Sequence, residues 1–290
     1  MKKAPSEKRI KHSWIIWLAL VICVFTLLIL DSRYRLVSTE YELTYETLPE
    51  GFDGFRIVQL SDLHMMEFGR ENERLLKLVK AQEPDIIALT GDFLDKRSQS
   101  KPGEQMRRLE YFLNELSQIA PCYFVSGNHE WASGELPALS ESLKTKDIKY
   151  LHNEFVVLEE NGDKIILAGT EDPNGPADML LPDELVEIIQ KNYPNYFTVM
   201  LAHRNNYLQK YPNLAVQLVI CGHAHGGVVR IPGIGGVFGT DLGFFPEYDS
   251  GVFNEGCYDM VLSRGLGGNI PTPRLFNNPE LVTIILRRAA

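Results

Sequence analysis

The sequence predicts a mixed α/β fold built from two packed sheets. In the first half of the chain, apolar runs typical of strands alternate with runs of helical periodicity, which favours right-handed βαβ units and parallel strand pairing. The second half is richer in strands and has a hairpin signal, Asn161-Gly162, between two strand-like runs. The 290 residues suffice for one large domain or two small ones. We expect one domain, residues 36–290, behind an N-terminal anchor, residues 1–35.

Residues 1–35 are predicted to form a basic leader and a transmembrane helix. The run from Trp14 to Leu30 is uncharged and almost wholly apolar, and it is long enough to cross a bilayer. Lysine and arginine lie on its N-terminal side, which predicts a single-pass protein of the cell membrane with a cytoplasmic N-terminus and an extracytoplasmic body. A cleaved signal peptide is the alternative, although residues 28–33 contain no small-x-small cleavage site.

Hydrophobic periodicity predicts the remaining elements in order. Strands are predicted at 36–45, 55–60, 85–90, 122–126, 155–159, 164–169, 197–202, 218–221, 258–263 and 281–286, and helices at 72–80, 106–119, 136–144 and 182–190. The second helix carries Leu109, Phe112, Leu113 and Leu116 on one face, and the last has a proline in its first turn. The segment 226–243 is glycine-rich and irregular.

The charge distribution argues against a nucleic-acid partner. The chain has 29 basic and 38 acidic residues, a formal net charge of −9. Residues 1–35 hold 7 basic and 2 acidic residues, or +5, so the rest holds 22 and 36, or −14. A protein that binds the phosphate backbone of a nucleic acid needs a basic face, whereas clustered carboxylates suit the binding of divalent metals. The four cysteines predict no disulfide framework, and Cys221 is interpreted as a buried structural thiol.

Polar motifs follow the predicted strands at the points where those strands end. They are Asp62-x-His64, Gly91-Asp92, Gly127-Asn128-His129-Glu130, His203 and Gly222-His223-Ala224-His225. The carboxyl ends of strands in an α/β sheet border one crevice, so these loops are expected to converge. We expect Asn128 and His129 to project from a loop, with Gly127 allowing a sharp reversal of the chain. Five of the seven histidines lie in these motifs, which favours a shared site over separate structural roles.

The residue types in these motifs predict a metal centre. Carboxylate and amide oxygens together with imidazole nitrogens suit Mn, Fe or Zn. The candidate ligands are Asp62, His64, Asp92, Asn128, His203, His223 and His225. Seven groups exceed the four that a single tetrahedral zinc uses, and two metals that share a carboxylate would use them all. Asp62 and His64 alternate by two, as do His223 and His225, so each pair can point to one side of an extended chain.

The order of the five motifs resembles that of the calcineurin-like metallophosphoesterases, from about residue 54 to the C-terminus. The N-terminal anchor, the run from Gly222 to Gly227 and the tail from Ser263 to Gly268 look like the membrane-associated bacterial branch of YkuE-type and YaeI-type proteins. This resemblance implies an α/β fold of the metallophosphoesterase type, a four-layer α/β/β/α sandwich, with a dinuclear centre on its rim and an N-terminal transmembrane helix in front.

The resemblance also implies a role for each motif residue. One metal is expected on Asp62, His64 and His225 and the other on Asn128, His203 and His223, with Asp92 as the bridge. Manganese is favoured among the divalent metals. His129 is expected to stay off the metals, near the scissile phosphate, where it can protonate the leaving group. The expected nucleophile is a hydroxide between the metals. His203 departs from the family pattern, since the following residues lack a proline.

These expectations define a function and its alternatives. We expect hydrolysis of a phosphodiester or pyrophosphate, with lipid-linked phosphoesters of the envelope as candidate substrates by family analogy. Arg264 is the candidate for binding a second phosphate or an anionic head group, and a tight structural turn is its alternative. The segment Glu171-Asp172-Pro173 either lines the cleft or forms a turn. A phosphomonoesterase or nucleotidase, or a non-catalytic metal-binding module, is the alternative function. The oligomeric state is unknown from the sequence.

Overall fold

The computed structural model describes residues 8–97, 103–240, 243–254, 256–268 and 274–289, with side chains described from residue 14 onward. The helices are α1 (Lys8–Tyr34), α2 (Glu73–Ala81), α3 (Glu104–Ser117), α4 (Asn128–Ser133), α5 (Leu136–Thr145), α6 (Pro182–Asn192) and α7 (Tyr207–Lys210). The strands are β1 (Val37–Tyr45), β2 (Arg56–Leu60), β3 (Ile86–Thr90), β4 (Cys122–Val125), β5 (Lys149–Tyr150), β6 (Glu154–Glu160), β7 (Asp163–Gly169), β8 (Thr198–Leu201), β9 (Leu218–Cys221), β10 (Arg230–Ile231), β11 (Gly235–Gly236), β12 (Gly251–Asn254), β13 (Asp259–Leu262) and β14 (Glu280–Arg288).

Two six-stranded sheets form the centre of the protein. The first has the strand order β1-β14-β2-β3-β4-β5, and the second has the order β12-β13-β9-β8-β7-β6. In the first sheet β2, β3, β4 and β5 run parallel, and β14 is antiparallel to β2. In the second sheet β7, β8, β9 and β13 run parallel, with the hairpin strand β6 on one side and β12 on the other antiparallel to their neighbours. The parallel pairing of β2, β3, β4 and β5 confirms the βαβ units predicted for the first half of the chain.

Three apolar cores divide the molecule into four layers. Alternate residues of a strand face opposite sides of its sheet. Thus Ile57 packs between the sheets, whereas Val58 faces the helices α2, α3 and α5. In the second sheet Ile165 packs between the sheets and Ile166 faces α6 and α7. The order helix, sheet, sheet, helix confirms the predicted four-layer sandwich.

The N-terminal helix stands apart from these cores. Its segment Trp14–Tyr34 has a mean hydropathy of 2.6 and is almost wholly exposed, so α1 is long and apolar enough to cross a membrane. Its last turn is attached to the body, because Asn278 Nδ2 donates to the Asp31 carbonyl at 2.8 Å and the Phe276 N–H donates to Ser32 Oγ at 2.9 Å.

The structure corrects one prediction around the central motif. Asn128 and His129 begin the helix α4 rather than projecting from a loop, and Gly127 is its N-cap. Gly127 has an extended backbone with φ −107°, so it does not provide a left-handed reversal. Instead, a Cβ at Gly127 would lie 2.3 Å from Asp92 Oδ1, so glycine is needed for close approach. The sequence also did not predict the short elements β5, α7, β10, β11 and β12.

Candidate metal centre

The five motifs meet at the carboxyl edge of both sheets. Asp62 and His64 follow β2, Asp92 follows β3 and Asn128 follows β4, all from the first sheet. From the second sheet, His203 follows β8, and His223 and His225 follow β9. All seven predicted ligands are buried or half-buried, and six of them, the two aspartates and four of the histidines, fall into two groups of three described below.

The first group contains Asp62, His64 and His225. The Nε2 atoms of the two histidines lie 3.1 Å apart. Asp62 Oδ1 lies 3.6 Å from His225 Nε2 and 4.0 Å from His64 Nε2. Three potential ligand atoms therefore surround one point, as the resemblance implied for one metal.

The second group contains Asp92, His203 and His223. His203 Nε2 lies 3.2 Å from Asp92 Oδ2 and 3.2 Å from His223 Nδ1. Asp92 Oδ2 also lies 3.6 Å from His64 Nε2 in the first group. One carboxylate oxygen thus faces both groups, which is the position that a bridging ligand requires.

The chemistry of these groups fits divalent metals. Among the described side chains, Asn128 Oδ1 is one of the buried atoms without a hydrogen-bond partner, and a buried acceptor of this kind requires a donor or a cation. His203 Nδ1 lies 2.8 Å from the Thr90 carbonyl oxygen, which orients the ring and leaves Nε2 directed at Asp92. The residues present therefore fit a metal pair.

Protonation of the histidines is set by burial and by the two aspartates. Burial lowers the pKa of His64 to about 3 and also lowers those of His223 and His225, so these rings are neutral near pH 7. Burial likewise lowers the pKa of His203, but the Asp92 carboxylate outweighs it and raises that pKa to about 10. A metal at the second group must therefore displace a proton from His203.

The backbone at the candidate ligands is strained. Asp62, His64, Asp92, His223 and His225 have φ between 46° and 72°, a left-handed region that few non-glycine residues occupy. Such conformations cluster at functional sites, where the surrounding structure holds them. The neighbouring turn requires glycine, since a Cβ at Gly222 would lie 1.9 Å from Ser61 Oγ.

Glu130 holds two of the ligand loops together, a role that sequence reasoning missed. Its carboxylate is completely buried and accepts four backbone N–H groups. Oε2 accepts from Asp92 and Gly127 at 2.8 Å, and Oε1 accepts from Phe93 at 2.7 Å and Leu94 at 3.0 Å. Burial and the nearby Asp92 charge raise the pKa of Glu130 to about 7, against the opposing effect of these N–H groups.

His129 lies between the ligand groups and a carboxylate that was not predicted. Its ring packs edge-on against His64, with centroids 4.4 Å apart, and it forms a third cluster with His64 and Asp92. Its Nδ1 lies 3.3 Å from Asp95 Oδ1. Burial alone would raise the pKa of Asp95, but the bond to His129 and the Arg97 N–H lower it. The Lys96 N–H donates to His129 Nδ1 at 3.2 Å and thereby orients the ring beside the charged Asp95.

Arg204 is a further cation that the motif reading did not assign. Its guanidinium binds Asp172 through Nε at 2.5 Å and Nη2 at 3.0 Å, and its Nη1 lies 3.1 Å from His223 Nε2. Asp172 is buried behind Arg204 and is not among the residues that line the cavity. Glu171 instead binds Ser126, Trp131 and Tyr150 inside the fold.

The structure corrects the prediction for Arg264. Its guanidinium binds Glu280 at 2.7 Å, and Arg264 does not line the cavity at the metal centre. Arg274 lines that cavity instead, buried and, among the described residues, bonded through its guanidinium to the carbonyls of Arg264, Gly265 and Leu266. Its Nε atom has no partner among the described residues. Of these two arginines, Arg274 is therefore the one that presents its guanidinium to the cavity.

The cavity beside the two ligand groups has a volume of about 950 Å³. Its cations are Lys96, Arg97, Arg204 and Arg274, and its apolar wall includes Val228, Phe238, Phe244 and Tyr248. A site of this size and polarity accepts a substrate that is both anionic and partly apolar.

Fold and site together define a metal-dependent phosphoester hydrolase. Residues 55–227 match the calcineurin-like phosphoesterases, and the chain belongs to that family. It is 26% identical over 258 residues to the uncharacterized metallophosphoesterase YkuE of Bacillus subtilis, covering 88% of this chain and 86% of YkuE. It is 28% identical over 236 residues to the phosphodiesterase YaeI of Escherichia coli, covering 80% and 82%.

A third relative connects the family to membranes. The chain is 30% identical over 268 residues to a Danio rerio protein described as a transmembrane protein with a metallophosphoesterase domain. The alignment covers 86% of this chain and 57% of that protein. The three relatives confirm the superfamily and the branch that the motifs predicted.

Proposed function

We propose that the chain is a membrane-anchored phosphodiesterase whose two divalent metals bind between the sheet edges. The two ligand groups that share Asp92 Oδ2 are the observation that carries this proposal. Asp62, His64 and His225 would hold one metal, and Asn128, His203 and His223 the other. When bound, the metals supply Lewis-acid activation of water and stabilise charge on the phosphoryl oxygens. Manganese stays our preferred metal.

The protein's own groups then bind the substrate and move a proton. The Lys96 N–H donates to His129 Nδ1 at 3.2 Å, so the neutral ring carries its proton on Nε2, from which it can be donated to the departing oxygen. Arg274 carries positive charge on the cavity wall, where phosphate oxygens would be bound, whereas Arg204 on the same wall is paired with Asp172.

The size of the cavity supports a diester or pyrophosphate over a monoester. A monoester needs room for one substituent on phosphorus, whereas a cavity of about 950 Å³ can hold groups on both sides. The apolar wall formed by Phe238, Phe244 and Val228 supports a substrate with an apolar part, such as a lipid-linked phosphoester.

We further propose that residues 1–35 anchor the catalytic domain, residues 36–290, to the cell membrane. The apolar helix α1 and the excess of basic residues before it support a cytoplasmic N-terminus and an extracytoplasmic active site. The net charge of −14 on residues 36–290 argues against a nucleic-acid substrate, because the phosphate backbone would be repelled.

The test uses the full chain in detergent with two esters, bis-p-nitrophenyl phosphate and p-nitrophenyl phosphate. We expect the diester to be hydrolysed faster, the activity to disappear on chelation, and added Mn to restore it. Asp92→Ala should lose both metal content and activity. His129→Ala should keep its metals and lose about 10²- to 10⁴-fold in kcat, the range of general acid catalysis.

His152→Ala is the matched control, because His152 is an exposed histidine outside the metal centre that lies 3.6 Å from Glu154 and packs against Tyr150. It should behave as the wild type. Diester hydrolysis that survives complete metal removal would refute the mechanism, and a preference for the monoester would favour the phosphomonoesterase alternative.

A further inference from the structure

The membrane helix and the metal centre lie at the same edge of the first sheet. Because β14 is antiparallel to β2, with Val282 opposite Gln59, the start of β14 lies beside the end of β2, and Asp62 follows directly. Strand β1 is parallel to β14, with Val37 opposite Glu280, so the chain also enters the body from α1 at this edge.

The body is fixed to the last turn of α1, which would lie at the bilayer surface if α1 spans the membrane. Ser32, which accepts the Phe276 N–H at 2.9 Å, lies two residues beyond Leu30, the last residue of the uncharged run. At about 1.5 Å per residue, this places Ser32 about 3 Å beyond the apolar segment. Phe276 is 44% exposed, so with α1 across a bilayer it would lie next to the lipid head groups.

An exposed apolar surface extends from this point. The Arg230 N–H donates to the Leu275 carbonyl at 3.0 Å, and Val229 forms a bridge with Leu275, so the glycine-rich segment is joined to the residue before Phe276. Six exposed residues make up this surface, which we call the docking patch: Ile231, Ile234, Phe238, Phe244, Phe245 and Phe276. Their exposed fractions are 40%, 68%, 39%, 70%, 58% and 44%. Large apolar side chains grouped in this way mark an interaction surface.

The docking patch continues into the metal cavity. The rings of Phe238 and Phe244 lie 5.2 Å apart, and both side chains line the cavity that also contains His223 and His225. An apolar path therefore connects the surface beside α1 with the candidate metal ligands.

Charge does not provide an alternative attraction to the membrane. The body carries a net charge of −14, which an anionic leaflet repels. Arg230, next to the patch, is paired with Asp249 at 3.1 Å. Burial of aromatic and aliphatic side chains in the interfacial region is the interaction that remains.

We propose that the docking patch inserts into the leaflet at which α1 ends and admits the phosphoester of a membrane lipid to the cavity, while the acyl chains stay in the bilayer. The choice of substrate rests on the proposed phosphodiesterase function, whereas insertion of the patch does not.

Insertion is tested with full chains in vesicles of phosphatidylethanolamine and phosphatidylglycerol that contain brominated lipid. The probe is Phe245→Trp, in a background in which both anchor tryptophans are replaced by phenylalanine and the emission of the remaining Trp131, measured in that background, is subtracted. The control is Glu160→Trp, at the end of β6 that lies away from the metal edge. We expect quenching at position 245 to exceed that at position 160 at least twofold. Equal quenching at the two positions would overturn the proposal.

Delivery is tested with phosphatidyl-p-nitrophenol in the same vesicles. Water adds to phosphorus, the bond from phosphorus to the aryl oxygen breaks, and p-nitrophenol leaves phosphatidic acid behind. The variant Ile234→Ser with Phe245→Ser, two residues outside the cavity, should lose at least fivefold on this lipid. Its hydrolysis of bis-p-nitrophenyl phosphate should stay within twofold of the wild type. The control is Ile188→Ser, at an exposed isoleucine of α6, and it should change neither rate.

Equal effects of the patch variant on the two esters, or no effect on the lipid, would overturn delivery through the patch. If no variant hydrolyses bis-p-nitrophenyl phosphate, the proposed function fails, and the quenching result still decides whether the patch inserts.

Discussion

Replacement of Glu130 by glutamine should destabilise the protein and weaken its metal site together. The carboxylate accepts four buried N–H groups, two on each oxygen. A glutamine keeps one oxygen, and its NH₂ group then faces two N–H groups that lose their acceptor. Each buried donor left unsatisfied costs about 1–3 kcal/mol, so the variant should lose about 2–6 kcal/mol. For a domain of this size, that corresponds to a fall in Tm of about 4–24 °C.

The same change should loosen the ligand loops, because Glu130 joins the backbone of Asp92 to that of Gly127 beside Asn128. Loss of a residue that orients metal ligands typically lowers metal affinity by about 10- to 100-fold. Thermal unfolding of the full chain in detergent gives the Tm, and titration of the metal-depleted protein with Mn gives the affinity.

Glu141→Gln is the matched control for this experiment. Glu141 is an exposed glutamate on α5 whose ion pair with Lys144, 3.7 Å away, is also exposed. Its replacement should change stability by no more than about 0.5 kcal/mol. A Glu130→Gln protein with the Tm and Mn affinity of the Glu141→Gln protein would refute the role assigned to Glu130.

Three further outcomes are expected. Arg274→Lys should raise the KM for bis-p-nitrophenyl phosphate about tenfold through loss of a charge-assisted bond, whereas Arg264→Lys should leave KM unchanged, as steady-state kinetics would show. In intact cells, a membrane-impermeant maleimide should label the exposed Cys257 if the body is extracytoplasmic, and labelling only after lysis would reverse the orientation. Burial raises the pKa of Glu280, but the bond to Arg264 outweighs it and holds that pKa below the ordinary 4.5. Its contribution to stability is thus present above pH 4.5 and lost as the pH falls further, so the wild type should lose Tm more steeply below pH 4.5 than Glu280→Gln.

Much of the fold follows from local pattern. The strands before the five motifs are short, buried apolar runs, and their alternation with amphipathic helices predicted the parallel pairing that β2, β3 and β4 show. The elements that escaped prediction are too short for a periodic signal: α4 has six residues, and β10 and β11 have two each. Strand β12 escaped for another reason, since Gly251 and Asn254 resemble a turn in sequence.

The candidate site also has features that the sequence predicts and features that it does not. Ligand types and their order can be read from the sequence, because each motif is local and follows a strand. The hydrogen-bond and ion-pair partners of each side chain cannot be read from the sequence in this way, since they lie far apart along the chain. Arg264 was predicted to bind a phosphate because it adjoins glycines, yet Glu280, 16 residues away, pairs with it. Glu130 is the last residue of the motif 127–130, and its structural role was not predicted because its partners Phe93 and Leu94 lie 37 and 36 residues earlier.

The same long-range contacts explain how the ligands are held in unfavourable conformations. Five of the seven candidate ligands have left-handed backbones, each of which costs about 1–3 kcal/mol and persists only where the surroundings enforce it. At Asp92 the enforcing groups are identifiable: its N–H is bound by Glu130, and its Oδ1 accepts the His129 N–H at 2.8 Å. The carboxylate is therefore aimed by the fold before any metal binds. A site built in this way gives the metals fixed ligands, and its geometry depends as much on Glu130 as on the residues that would touch the metals.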